Sequence, residues 1–278
     1  MSSALADLRA LGAAGLKEWR LLRRYPSMFV GFLFWPIALP LSYVFQAEAY
    51  SGTQASVDAF AQRAGTADIA GFLFLGWATY MWISMILWGP GTALRTDQIR
   101  GTLEAVFMTP ASRLVVIFGP VVSQVVWAIW MFTIVGTVLT VFFGVPIGLA
   151  EALRALAVVV LAVPALYGLG ALFAAVVLRF GEVHAMVQGV RGVFTVLCGM
   201  SFPIVILPEW ARTVALTLPP TYLIADLRHV LLSGVGLVEL VPDLVILLGL
   251  GIGLCVLAVV AFRRTERHAR RGGSLAQY

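Results

Sequence analysis

Few side chains in this sequence are of the types that carry out covalent or metal chemistry, and their spacing argues against most such reactions. A nucleotide-binding loop needs the pattern GxxxxGK[ST], because backbone N–H groups and a lysine must neutralise the phosphates. The single lysine, Lys17, is followed by Glu18. The three histidines, His184, His229 and His268, fall in three separate predicted loops and form no HExxH zinc pair. The sequence therefore predicts that any ATP hydrolysis takes place in another polypeptide.

A serine nucleophile is the remaining enzymatic candidate. Ser201 lies in an apolar run, where an intramembrane hydrolase would place it, but no histidine falls inside any such run. Because an activated serine needs a base within reach, the sequence disfavours this alternative.

The clearest binding pattern lies in a charged segment, residues 95–110, that interrupts a long apolar region. Within it, Thr102–Met108 is predicted to form a two-turn helix with Leu103, Val106 and Phe107 on one face. A helix this short cannot bury that face on itself, so we expect the face to dock in a groove of a partner. The pattern indicates a machine whose motor is a separate polypeptide.

The elements that position these residues are predicted membrane spans. Hydrophobic residues make up 60% of the chain and charged residues 12%, whereas soluble domains have about half and a quarter. A spanning helix needs roughly 20 apolar residues, and the uncharged runs predict an all-α integral membrane fold with six spans. They are Met28–Phe45, Ile69–Trp88, Leu114–Phe143, Leu156–Leu178, Gly192–Leu207 and Leu244–Phe262.

The basic residues predict the orientation of the spans. Six spans place both termini on one side, and that side receives 15 of the 19 Lys and Arg residues. Because Lys and Arg are enriched in cytoplasmic loops, both termini are predicted to be cytoplasmic. The net charge of +5 follows from this topology and gives no reason to invoke nucleic acid.

The whole chain, 1–278, is predicted to be a single transmembrane permease domain. Residues 1–27 form an amphipathic leader along the cytoplasmic interface, because leucines recur there at helical spacing between charged residues. Residues 28–262 hold the six spans, and residues 263–278 form a basic cytoplasmic tail.

Two alternatives concern the spans themselves. An ion-coupled secondary transporter usually carries ionisable residues at membrane depth, and the six predicted spans contain none. Aromatic side chains crowd the second and third spans, where they either stack on cargo or pack against helices and lipid. They are Phe72, Phe74, Trp77, Tyr80, Trp82, Trp88, Trp127 and Trp130.

Two motifs carry a family resemblance that covers nearly the whole chain. The segment Arg100–Arg113 resembles the "GTLE…TP.SR" loop between spans two and three of type-2 ABC exporter permeases, the membrane subunits of bacterial drug, lipid and polysaccharide exporters. The segment Phe202–Gly234, with LPEW, PPTY and LRxxLLxG in order, is similar to the region after their fifth span. The chain looks most like the permeases of daunorubicin exporters.

The resemblance implies a dimer of two permease subunits, identical or different, above two separate ATPase subunits in the bacterial plasma membrane. The partner subunits would bind ATP and Mg²⁺, and this chain would hold no cofactor. A coupling helix would dock on the ATPase through Arg100, Thr102, Leu103, Glu104, Val106 and Phe107. The cargo would be an amphipathic molecule, such as a drug-like metabolite, a lipid or a lipid-linked glycan.

The resemblance also implies a re-entrant helical hairpin at the extracellular end, between spans five and six, that closes the exit. Candidate gate residues there are Pro203, Pro219, Pro220, Tyr222, Asp226 and Arg228. Asp226 and Arg228 either mark the gate or pair with each other. We expect the pair, because an unpaired charge near membrane depth is costly.

Overall fold

The computed structural model describes residues 26–50, 53–99, 121–180 and 183–272, together with a few isolated positions before Pro26. Within these residues the chain forms nine α-helices, one 3-10 turn and no strand. The helices are α1 (Pro26–Tyr50), α2 (Gln54–Ala64), α3 (Ile69–Ile99), α4 (Val121–Phe143), α5 (Leu149–Phe180), α6 (Val183–Leu197), α7 (Glu209–Ala215), α8 (Pro219–Ser233) and α9 (Val241–Gly272), with the 3-10 turn at Ile204–Ile206. The all-helical prediction is confirmed for this part of the chain.

Four of the described helices are long and apolar enough to cross a membrane. Their spanning portions are Ile69–Gly89 in α3, Val125–Phe143 in α4, Leu149–Val177 in α5 and Val241–Arg264 in α9. The chain is therefore a multi-pass membrane protein.

Helix α3 lies at the centre of the bundle. It contacts α1, α4, α5, α6 and α8, and its span is the most deeply buried of the four. Large, fully buried side chains include Phe74, Trp82 and Ile86 from α3, Leu139 from α4 and Tyr167 from α5. Because α3 is surrounded, its side chains fix the relative positions of the other helices.

Helices α5 and α9 have the most extensive contact in the described bundle, and glycines allow their backbones to meet. A Cβ added to Gly168 would lie 2.8 Å from the Cys255 amide nitrogen, and one on Gly251 would lie 3.0 Å from that of Ala165. Small residues are what such close crossings in a membrane require. Gly249, by contrast, has open space beside it.

Helix α2, between α1 and α3, is capped at both ends. The Thr53 hydroxyl accepts a hydrogen bond from the Ser56 amide at 3.4 Å, and Gly65 ends the helix in the left-handed conformation with φ 73°. None of the α2 side chains is buried. Helix α2 thus lies outside the hydrophobic core.

The helix in the region of the predicted fifth span, Gly192–Leu207, is displaced towards the N-terminus. Helix α6 begins at Val183 and ends at Leu197, where Gly199 with φ 68° turns the chain out of the helix. Charge at Arg191 suggested a loop, but within α6 its Nη1 donates to the Gln188 side chain at 3.2 Å and its Cζ lies 4.9 Å from the centroid of the Tyr80 ring. Helix α5 also begins earlier than predicted, at Leu149, and α3 continues to Ile99.

Candidate functional site

The residues predicted to form the gate lie on two adjoining segments. Pro203 precedes the 3-10 turn, and Pro219 and Pro220 are buried at the first positions of α8, where proline's missing N–H costs nothing. Tyr222, Asp226 and Arg228 follow on the same helix. The coupling residues lie outside the described residues: Arg100, Thr102, Leu103, Glu104, Val106 and Phe107. Most of the predicted leader, 1–27, also lies outside them.

The start of α8 is fastened to the end of α7 by two side chains. The Thr221 hydroxyl donates to the Ala215 carbonyl at 2.7 Å, and the Tyr222 hydroxyl donates to the Leu216 carbonyl at 2.9 Å. Both carbonyls belong to the last turn of α7, where backbone acceptors have no partner within the helix. The two short helices therefore form one unit, in which Tyr222 is a bracing residue.

Arg228 joins three parts of the chain that are distant in sequence. Its Nε and Nη2 donate to the Phe72 carbonyl at 3.1 Å and 2.8 Å. Nη1 donates to the Gly199 carbonyl at 2.8 Å, and Nη2 also donates to the Met200 carbonyl at 2.9 Å. All three guanidinium nitrogens thus have acceptors, as the fixed fork of arginine permits. We call Arg228, Phe72, Gly76, Gly199 and Met200 the Arg228 junction.

The junction depends on a glycine and an aromatic ring of α3. The Arg228 Cζ lies 3.3 Å from the centroid of the Phe72 ring, a cation–π contact that gains strength away from water. A Cβ on Gly76 would overlap the Met200 carbonyl oxygen and lie 2.7 Å from the Arg228 Nη2. Gly76 is therefore what lets the chain after α6 come close enough to α3 for Arg228 to bridge them.

The electrostatics of the junction explain a buried cation without an acidic partner. Arg228 is 8% exposed, and Gly199 and Met200 lie two and three residues after the end of α6, whose C-terminal carbonyls carry partial negative charge. Charge-assisted hydrogen bonds of this kind are worth about 1.5–3 kcal/mol each, which offsets the cost of burial. Arg228 thus bonds the end of α6 to the first turns of α3.

Asp226 does not pair with Arg228, and that prediction is wrong. Asp226 is fully buried, and within the described residues neither carboxylate oxygen has a hydrogen-bond partner. Residues two apart on a helix do not face each other, so the two side chains leave α8 in different directions. Burial, and to a lesser degree the Asp243 carboxylate at the start of α9, raises the pKa of Asp226 to about 7.

Sequence reasoning singled out Arg228 but missed its partners. Phe72 and Gly76 look like ordinary residues of an apolar span, and the Gly199 and Met200 acceptors are backbone atoms. A glycine in the middle of a span was the only available signal. Asp243, the acidic neighbour of Asp226, was also missed.

The crowded aromatic residues pack mainly against each other and the core. Phe74 and Trp82 are fully buried, the Trp77 ring stacks on Tyr43 at 4.7 Å, and Trp82 meets Phe132 edge-on at 6.0 Å. The packing interpretation, which the sequence left open, is the one these contacts favour.

The sequence model of a family described as ABC-2 type transporter matches residues 10–232, more than half of the chain. A comparison with curated protein sequences found no match.

Proposed function

The chain belongs to the ABC-2 type transporter family, and from this premise we propose that it is the membrane subunit of an ATP-driven exporter. ABC permeases of this family associate with an ATPase and a second permease subunit. The proposal adds a direction, export, and a cargo class, amphipathic molecules such as a drug-like metabolite, a lipid or a lipid-linked glycan. ATP and Mg²⁺ would be bound by the partner, in a bacterial plasma membrane.

The observation that carries the proposal is the match over residues 10–232, because it includes both the charged segment and the gate region. Helices α3 and α4 flank residues 100–120 and are both candidate spans, so this segment connects their ends on one side of the membrane. A short amphipathic helix at that place would meet a partner outside the bilayer. Motion of the ATPase subunits would then reach α3 and α4 directly.

The proposed topology has six spans, with both termini cytoplasmic. Four spans are the candidates in α3, α4, α5 and α9, and α1 and α6 would supply the other two. Helix α6 has only 15 residues, about 22 Å at 1.5 Å per residue, so the segment to Pro208 completes its crossing. Helices α7 and α8 would form the extracellular hairpin that carries the gate residues.

The test is co-purification in mild detergent of the permease with the ATPase encoded beside it. Leu103→Asp or Phe107→Asp should abolish the complex, because a carboxylate on the docking face would be buried without a partner. The matched control is Ala105→Asp, which places the same charge on the opposite face of the predicted helix and should leave the complex intact. A complex that survives both face variants would refute the docking assignment.

One observation favours a second candidate, an ion-coupled transporter. Asp226 is a buried carboxylate without a described partner, and such residues mark proton pathways in some transporters. Export that persists after ATP depletion, fails when the proton gradient is collapsed and is lost in Asp226→Asn would establish this candidate. Export that requires ATP and continues without the gradient would exclude it.

A further inference from the structure

One arginine of α6 lies at the depth of the membrane interior. Arg191 is eight residues into α6, and its Cζ lies 4.9 Å from the centroid of the Tyr80 ring on α3. Tyr80 lies between Ile69 and Gly89, the ends of the candidate span, about 16 Å from the first and about 14 Å from the second at 1.5 Å per residue. The hydrocarbon core of a bilayer is about 30 Å thick, so the guanidinium group lies near its middle.

Arg191 lacks the partners that satisfy Arg228. All three guanidinium nitrogens of Arg228 donate to backbone carbonyls, whereas Nη1 alone of those of Arg191 donates to a described residue, Gln188, at 3.2 Å. The Arg191 Nε is buried and has no acceptor among the described residues. No carboxylate of these residues forms an ion pair with it, and the residue is half-buried. Arg191 thus keeps donors for a group from outside the described chain.

Polar side chains continue from Arg191 along one face of α6. His184, Gln188 and Arg191 are separated by four and three residues, so they lie on the same face of the helix, and His184 and Gln188 are exposed. The His184 ring meets Trp88 of α3 edge-on, with the ring centroids 4.8 Å apart. Trp88 lies at the end of the candidate span of α3 and Tyr80 near its middle. The polar face therefore leads from one end of the span to Arg191.

Aromatic rings lie beyond Arg191, on the side away from His184. The Tyr80 ring meets Trp77 edge-on at 5.0 Å, and Trp77 stacks on Tyr43 of α1 at 4.7 Å. Tyr80 and Tyr43 are both half-buried, so parts of their surfaces are open to another molecule. A cation beside aromatic surface suits a molecule in which an anionic group is joined to an apolar body, because arginine forms charge-assisted hydrogen bonds to carboxylate and phosphate.

Contact with lipid does not account for this position of Arg191. An arginine that faces acyl chains extends its head group towards the membrane surface, whereas the Arg191 guanidinium group contacts a ring near the middle of α3. Ionisable side chains inside membrane segments face the interior of a bundle or a water-filled cavity, and they mark the pathways of substrates and ions. The polar face of α6 therefore has the character of a pathway wall.

We propose that Arg191 binds the anionic group, a carboxylate or a phosphate, of the amphipathic cargo, whose apolar body lies against the rings of Tyr80 and Tyr43. This inference rests on the proposed function and deepens it, because it names the chemistry of the cargo. The two fail separately: anion binding is measured on the permease alone, whereas the docking of the ATPase is measured by co-purification.

The first test uses the full-length protein in nanodiscs and two photoprobes, trifluoromethyl-diazirinyl benzoate and the matching benzamide, which lacks the charge. Mass spectrometry of peptides after illumination should place the benzoate label on α3 between Trp77 and Trp88 or on α6 between His184 and Thr195. The benzoate label should exceed the benzamide label there by at least about tenfold. Equal labelling by the two probes would overturn the proposal.

Variants of the arginine test which side chain holds the anion. Arg191→Gln should abolish the preference for benzoate, and Arg191→Lys, which keeps the charge, should retain part of it. The matched control is Arg154→Gln, which removes the same charge from an arginine of α5 that is 34% exposed and should leave the preference unchanged. An unchanged benzoate label in folded Arg191→Gln would contradict the assignment.

Competition on the parent chain decides the question even if Arg191→Gln fails to fold. Laurate and dodecyl phosphate should each suppress the benzoate label, whereas dodecyltrimethylammonium, with a similar alkyl chain and the opposite charge, should not. The stronger of the two anionic competitors identifies the anionic group as a carboxylate or a phosphate. Equal suppression by the anions and the cation would overturn the proposal, because the site would then recognise the alkyl chain alone.

Discussion

Arg228 and Asp226 are two residues apart on α8 and both are buried, but their hydrogen bonding differs. Arg228 gives its donors to carbonyls of Phe72, Gly199 and Met200, whereas Asp226 has no described partner. The sequence identified both as unusual charges in an apolar region. It could not identify the acceptors, because backbone carbonyls carry no side-chain signature and one of them is 156 residues away.

Replacing Arg228 should destabilise the protein strongly. Arg228→Met leaves the carbonyl acceptors without their charged donor, and Arg228→Lys supplies one nitrogen where the junction uses three. We expect a loss of about 3 kcal/mol or more, which lowers the melting temperature by roughly 6 °C or more. The control is Arg212→Met on α7. Arg212 is exposed, so its replacement should change the melting temperature little. Equal melting of the Arg228 and Arg212 variants would contradict the role of the junction.

Asp226 should make stability depend on pH. Its pKa of about 7 in the folded protein lies above the ordinary value near 4, so the folded state binds the proton more tightly than the unfolded chain. This contribution is complete below pH 4 and is lost as the pH rises to about 7.

Asp226→Asn cannot ionise, so the stability of this variant should not fall as the pH rises to about 7. At pH 8 its melting temperature in detergent should exceed that of the parent by at least about 3 °C, the shift expected for roughly 1 kcal/mol, and the difference should shrink at pH 5. Asp58→Asn on the exposed α2 serves as the control. A difference that is the same at both pH values would show that folding does not raise the pKa of Asp226.

The helices were easier to predict than their ends. Long apolar runs identified α3, α4, α5 and α9, because composition alone separates a membrane span from a soluble helix. The bounds of α6 were not predicted, because a charged residue, Arg191, lies within the helix and the end of the helix is set by the turn at Gly199. The join of α7 to α8 depends on the hydroxyls of Thr221 and Tyr222, whose acceptors no periodicity reveals.

The crossing of α5 and α9 should tolerate no side chain at Gly168. Gly168→Leu would force Cβ against the Cys255 backbone, and overpacking of this kind costs roughly 1–3 kcal/mol. We therefore expect less folded protein after extraction and a lower melting temperature, measured by fluorescence-detected size-exclusion chromatography. Gly249→Leu, on the open face of α9, is the matched control. If it destabilises as much as Gly168→Leu, close α5–α9 packing is not the cause.

At the scale of the whole molecule, the most informative feature of the sequence is the uneven distribution of its basic residues. The proposed six-span topology places 15 of the 19 basic residues on one side and predicts α2 on the other. Helix α2 buries no side chain, as suits a segment in water. The distribution of basic residues predicts the orientation, whereas the sequence gives no signal for the cargo path, because apolar lining residues resemble apolar packing residues.

The topology predicts opposite accessibility for two introduced cysteines. In intact cells, a membrane-impermeant maleimide should label Gln54→Cys on α2 and should label Ser274→Cys only after the membrane is opened. The parent chain, with buried Cys198 and half-buried Cys255, gives the background. Labelling of both positions from the same side would refute the odd number of spans, five, that the proposed topology places between them.

The Arg228 junction also has a consequence for the order of events on the ribosome. The chain emerges from its N-terminus, so the Phe72 carbonyl is in place 156 residues before the arginine that binds it. Until Arg228 is synthesised, the hydrogen bonds of the Arg228 junction between α3 and the segment after α6 cannot form. A nascent chain halted before Arg228 therefore lacks the hydrogen bonds that join α3 to the segment after α6.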